Sequence, residues 1–276
     1  MNKFKDKLIK YAVPIIFVVI SLAGIIISGA PLSYISKELA NRMFRNTFLV
    51  LSLIIPILAG MGINFGIPLG AMAAQIGLVF AQDWGFTGVG GLLIAALIAT
   101  PISILLGKFS GNILNRAKGR EMITSMMLSF FILGVYMLVL LFLAGSLIPI
   151  KTRGMLLSQG YGIKNSITLV SAKSLDNILK YRIYIPLGRQ ALTFDFPVAT
   201  VLVIAILCVF IVWFKKTKLG HDMHAVGQDQ NVSKNAGMAS DKIRVQSIVI
   251  STVLACYGQL IYLQNIGTLS TYAGQD

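Results

Sequence analysis

Thr217–Met238 reads TKLGHDMHAVGQDQNVSKNAGM and lies between two apolar runs, 196–214 and 245–263. Its polarity is that of a loop in water, yet small residues recur through it: Gly220, Ala225, Gly227, Ala236 and Gly237. Small side chains let a backbone approach its neighbour closely. A polar connection of this kind between two membrane spans is a candidate docking surface. The reading fits the fold only if the flanking runs cross a bilayer.

The composition agrees. Of 276 residues, 56% are hydrophobic and 12% are charged, about half the charge of a soluble domain. Mean hydropathy is +0.79. Apolar runs long enough to cross the hydrocarbon core recur along the chain. They are too continuous for the alternating strands of a barrel. The expected fold is all-α, a polytopic transmembrane helical bundle forming a single domain over 1–276, with spans near 11–30, 47–63, 66–82, 88–107, 122–147, 196–214 and 245–263. The N-terminal run is longer than the apolar part of a signal peptide, so a retained first helix is expected.

The net charge of +14 would suggest nucleic acid in a soluble protein. Here the basic residues flank the spans, and no folded basic domain is present, so nucleic acid is excluded and the lipid bilayer is the partner. Lys3, Lys5, Lys7 and Lys10 put the N-terminus in the cytoplasm. Counting spans then places 108–120 and 215–244 in the cytoplasm and 148–195 outside. The segment 31–46 reads as a polar connector, and 148–195 as a solvated connector or partner surface, with Tyr181, Tyr184 and Phe196 at the interface.

One region resists a simple span. Pro56–Gln75 reads PILAGMGINFGIPLGAMAAQ. Gly and Pro at this density interrupt a helix, so a broken or re-entrant helix is expected near 47–82. A break within a membrane is tolerated only against protein or a water-lined cavity, and freed backbone groups there can bind a solute. The other reading is close helix packing at the small residues. Both stay open on sequence.

Little catalytic chemistry is in view. His221, His224 and Asp222 lack the further ligands of a zinc site. Cys208 and Cys256 fall inside apolar runs and read as small hydrophobes. There is no nucleophile elbow, zincin motif or P-loop. The acids Asp83, Glu121 and Asp195 sit at span edges, whereas ion-driven carriers place acids in the bilayer interior. The chain reads as no enzyme, drawing its energy from another subunit.

The polar stretch resembles the cytoplasmic loop of ATP-binding-cassette importer permeases of the branched-chain amino acid, ribose and nucleoside (simple sugar) type. Their pattern is roughly T-x-x-G-x-x-x-x-A-x-G-x-N-x-x-A-A-x-x-x-G. Thr217, Gly220, Ala225, Gly227 and Gly237 fit; Asp229 replaces the Asn, and Val232 and Ser233 replace the paired alanines. Asn46–Gly70 is similar to the broken element that opens the family's core, with Gly66-Ile-Pro-Leu-Gly70 where the family often has I-D-L-S-x-G. Glu121–Phe131 (EMITSMMLSFF) looks like the N-E-V-I-x-T-x-M-L-N-Y motif of the nucleoside and sugar branch, with Arg120 and Ser129 in place of its asparagines. The resemblance covers nearly the whole chain. Members usually continue two or more spans further, so an apparently short C-terminus is expected, ending Tyr272–Asp276.

The resemblance implies a permease subunit that imports a small polar solute: a nucleoside, a simple sugar or a riboflavin-like compound. It implies cytoplasmic ATP-binding subunits, a second permease subunit (identical or paralogous) and an extracytoplasmic solute-binding protein, in a bacterial cytoplasmic (inner) membrane. No cofactor is expected on this chain, since the partners bind ATP. ATPase coupling falls to Thr217, Gly220, Ala225, Gly227, Asp229, Ala236 and Gly237, with Ala225, Gly227 and Ala236 letting a short helix seat in an ATPase groove. The translocation pathway falls to Asn64, Phe65, Gly66, Pro68, Gly70, Gln75, Met127 and Ser129. A stand-alone secondary transporter or channel is the alternative. A membrane enzyme would need a polar catalytic pair within the spans.

Overall fold

The computed structural model describes residues 12–169, 175–176, 180–187 and 190–271. The N-terminal lysines, Tyr272–Asp276 and the side chains of Tyr181, Tyr184, Asp195 and Phe196 lie outside the described residues and side chains. The helices are α1 (Ala12–Ser28), α2 (Leu32–Ser52), α3 (Ile54–Leu58), α4 (Ile67–Asp83), α5 (Gly88–Arg116), α6 (Glu121–Leu138), α7 (Val198–Lys215), α8 (Lys218–Gln228), α9 (Gln230–Asn235) and α10 (Ser240–Ile266). A π-helical turn, Val139–Leu143, extends α6. The strands are β1 (Ser166–Thr168), β2 (Lys180–Leu187), β3 (Gln190–Pro197) and β4 (Thr268–Ser270).

The protein is an all-α, polytopic helical bundle. Among the described residues, α5, α6 with its π turn, α7 and α10 are long and apolar enough to cross a membrane. The apolar helix α1 spans 17 residues and buries none.

The chain falls into two compact units. One holds α1, the first half of α2 and most of the paired strands β2 and β3. In α2, Arg42 Nε donates to Glu38 Oε1 at 2.8 Å, one turn away. The expected polar connector 31–46 is therefore helix. Leu32–Ser52 contains no Gly or Pro, and charges spaced by four support each other on one face.

The other unit holds the rest. Here α10 is the central helix, packed on α4 and α5, with much of its surface buried. Glycines set the packing distances. A Cβ on Gly70 would run into the Thr252 carbonyl, one on Gly77 into the Ala95 carbonyl, and one on Gly107 would lie 3.0 Å from Val249 Cα. Lipid tails are as apolar as leucine, so close van der Waals contact and hydrogen bonds hold such helices together. Tyr136 on α6 donates to Gln75 Oε1 on α4 at 2.6 Å, and Thr100 on α5 meets the Tyr257 hydroxyl on α10 at 2.9 Å.

The helix predicted across 47–63 ends at Leu58. The backbone then runs irregularly from Ala59 to Gly66, where α4 begins. The expected break is present. Gly60 and Gly62 hold φ of 69° and 70°, the left-handed region open to glycine at little cost.

The connector after α6 is a folded cap, with secondary structure that its sequence does not announce. Met155, Leu156 and Ile163 are buried. Gly162 N donates to Ala144 O at 2.8 Å, and Thr152 N to Asp83 Oδ1 at 2.8 Å. Strands β1 and β4 pair antiparallel, with Ile167 opposite Leu269. The apolar residues here follow no helical or strand period, so only tertiary contact reveals the cap.

Candidate functional site

The polar stretch forms two short helices at one end of the bundle. Thr217 starts α8: its Oγ1 accepts from Gly220 N at 3.2 Å and donates to Phe214 O at 2.6 Å. Gly220 sits against the Phe214 carbonyl, where a Cβ would clash. Met223 and Val226 are buried in a cluster with Ile55, Ala59, Phe214 and Ile243. The other face of α8 exposes Lys218, His221, His224 and Gln228.

Asp229 caps α9. Its Oδ1 accepts from Asn231 N at 2.8 Å and Val232 N at 3.0 Å. Asp and Asn are equally good at this position, so the replacement of the family's Asn keeps the cap. Val232 is 63% exposed. Ala236 is exposed at the C-terminus of α9, and Gly237 turns the chain with φ 82°, a common helix ending.

Polar contacts clamp this segment to the bundle. Buried Arg244, on α10, donates Nη1 to Gln230 Oε1 at 2.8 Å and Nη2 to Glu121 at the start of α6. Asp241 pairs with Lys118 at 2.9 Å and Lys234 at 3.4 Å. A buried guanidinium depends on such partners, since desolvating it unpaired is costly. The exposed Asp241 pairs contribute less.

Gly227 faces its own chain. A Cβ there would strike the Leu58 carbonyl and lie 3.0 Å from Gly60 N. Ala225 is half-buried. The tight approach expected of Gly227 is thus made to the broken element.

At that element a cavity of about 430 Å³ opens, lined by Asn64, Phe65, Pro68 and Ser129 together with Met126 and Phe130. Asn64 is buried and its Oδ1 accepts from Gly66 N at 2.8 Å. Helix α6 holds the irregular backbone: Phe65 N donates to Ser125 Oγ at 3.2 Å, and Ser129 Oγ donates to Phe65 O at 2.7 Å. These bonds satisfy backbone groups that a broken helix frees, as membrane burial requires.

Five predicted pathway residues thus come together: Asn64, Phe65, Gly66, Pro68 and Ser129. Three do not. Gly70 packs on α10 and Gln75 on Tyr136, while Met127 is 69% exposed, with its neighbour Met126 on the cavity instead. Sequence reasoning missed Ser125, Gly60 and Arg244. A polar residue one helical turn before Ser129 was a usable signal for Ser125. An arginine directly before the apolar run 245–263 was one for Arg244.

A family model described as branched-chain amino acid transport system / permease component matches residues 37–275. No curated protein and no solved structure matches the chain.

Proposed function

The chain belongs to the family of permease components of branched-chain amino acid transport systems, and from that premise we infer that it is the membrane subunit of an ATP-binding-cassette importer whose cytoplasmic ATPase subunits dock on α8 and α9. The observation that carries this reading is the two-faced helix α8. Met223 and Val226 anchor it within the bundle, while Lys218, His221, His224 and Gln228 are left facing solvent. A helix of this kind is a lever with a free face.

On this reading α8 and α9 lie in the cytoplasm, at the end of the bundle where Asp241 bridges Lys118 and Lys234, as the positive-inside tendency favours for the basic segment 108–120. The cap after α6 faces outward, where a solute-binding protein delivers its load. Two permease subunits, identical or paralogous, form the pathway in a bacterial inner membrane. The chain does no chemistry itself. ATP binding to the partners shifts the bundle between inward- and outward-facing states, by as much as the partners bind the two states differently.

The cavity bears on the solute. Phe65 and Phe130 give it aromatic surface, Asn64 and Ser129 supply a little polarity, and among the described residues no charged side chain lines it. That lining suits a neutral solute with a flat apolar part, nucleoside-like or riboflavin-like, over a simple sugar.

The test is purification of the tagged chain from its native membrane in mild detergent, with mass spectrometry of what accompanies it. Recovery of an ATPase and a solute-binding protein is expected, and ligand carried by the latter identifies the solute. Val232→Glu puts a charge on the proposed docking face and is expected to cut ATPase recovery at least tenfold with insertion unchanged. Undiminished recovery from that variant removes the docking assignment.

A further inference from the structure

The docking helix meets the broken element through the side-chain cluster of Met223, Val226, Ile55 and Ala59 and, at one point, through backbone. A Cβ on Gly60 would lie 2.8 Å from Gly227 Cα and 3.0 Å from Gly227 O. From the other side, a Cβ on Gly227 would strike the Leu58 carbonyl. Neither residue has a side chain to stand between the two segments. Where side chains separate two elements, rotamer changes absorb a small displacement of one. At the Gly60–Gly227 contact no side chain is available to absorb it, and close-packed contacts pass strain on.

The backbone between Gly60 and the cavity is held at several points. Met61 is buried with Leu69, Leu114 and Ile248. Asn64 closes a turn onto Gly66 N, and Phe65 is bonded to Ser125 and Ser129 through both its N–H and its carbonyl. The chain from the contact to the first cavity-lining residue, Ile63, is only three residues long.

We propose that Gly60 and Gly227 form a backbone joint that hands displacement of α8 directly to the cavity-lining break, so that both are positioning residues for the transport cycle. This rests on α8 being the ATPase-docking helix. A helix shift of about 1–2 Å is the usual size of a switching motion, and at this joint it moves 58–60 with it. Glycine is required at both positions by contact, and at Gly60 by φ as well.

Gly62 separates those two causes. It shares the left-handed backbone, with φ 70°, but a Cβ there would meet only the Met122 side chain, at 3.7 Å, and no atom of α8 within 4 Å. The experiment uses the permease with its co-purified ATPases, Cys208 and Cys256 replaced by alanine, and Ile63→Cys as reporter beside the cavity. The labelling rate by a water-soluble maleimide is compared without nucleotide and with ATP and vanadate. At least a threefold change is expected in the parent. Gly60→Ala and Gly227→Ala are expected to reduce it to under 1.5-fold with ATP hydrolysis retained, while Gly62→Ala keeps it.

A full response in both Gly60→Ala and Gly227→Ala overturns the joint, as does equal loss in Gly62→Ala, which would assign the effect to backbone strain. A parent complex without ATPases, or without a nucleotide response, overturns the docking reading itself. Should the alanine variants fail to assemble, spin labels at His224→Cys and Ile57→Cys decide. Their separation is expected to stay constant through the ATP cycle, and a change of more than about 2 Å overturns the joint.

Discussion

Two glycine-rich regions lie side by side in this chain and do opposite things. Gly70 and Gly77 belong to a regular helix, α4, and admit the backbones of α10 and α5. Gly60 and Gly62 belong to irregular backbone and hold positive φ. Density of glycine is the same signal in both. In one it tightens a helix pair; in the other it ends a helix and lines the way to a cavity. The difference lies in what surrounds each residue. Gly70 and Gly77 stand seven residues apart among helix-forming neighbours such as Ala71, Ala73, Ala74 and Leu78, whereas Gly60, Gly62 and Gly66 crowd into seven residues with Asn64 between them.

The sharpest way to break this contrast is to fill the packing glycine. Gly70→Leu drives a side chain into the Thr252 carbonyl, Ala255 Cβ and Cys256 N. Overpacking of this kind costs about 3 kcal/mol or more when backbone must move. A large loss of monodisperse protein and of thermal stability in detergent is expected, and normal behaviour on size exclusion would count against the α4–α10 contact.

Gly60→Ala is expected to cost less, about 1–3 kcal/mol for a non-glycine residue held at positive φ, and to assemble while losing the nucleotide response. Next comes the cap of α9. Asp229→Ala should destabilise by about 1 kcal/mol and Asp229→Asn by almost nothing, read as melting temperature of the purified complex. Equal effects of the two would show that the Asp229 side chain does not cap. The smallest effect belongs to Gly134→Ala in α6, where a Cβ meets nothing within 4 Å. Stability should stay level or rise by about 0.5 kcal/mol, and a marked fall would reveal an unseen partner helix against this face.

Much of the architecture was legible. The apolar runs near 88–107, 122–147, 196–214 and 245–263 emerge as α5, α6, α7 and α10, because a membrane crossing demands length and apolarity that few other structures need. The ends of α8 and α9 were also visible, in Thr217, Asp229 and Gly237, because caps are chosen locally. The helix through 31–46 was not, since its polar residues mask a stretch free of helix breakers. The folded cap over 144–169 was not either, because its buried residues answer to α4, α6 and β4 rather than to their chain neighbours. Within the candidate site, Asn64, Phe65 and Pro68 could be read from the break, but Met126 takes the place expected of Met127. One residue is about 100° of helix rotation, so Met126, three residues before Ser129, shares the face that Ser125 and Ser129 mark, and Met127 does not.

Sequence alone was enough to show a helical membrane protein that resembles the permease family, where its four long apolar helices run, and where the chain breaks near 59–66. Those properties follow from hydropathy, capping and backbone freedom, which are local. Tertiary structure alone decided that Gly227 rests on Gly60, that Arg244 finds Glu121 and Gln230, and that Ser125 and Ser129 hold Phe65. Each is a contact between distant parts of the chain, made because burial leaves a backbone or polar group no other partner, and no local pattern encodes which partner it will be.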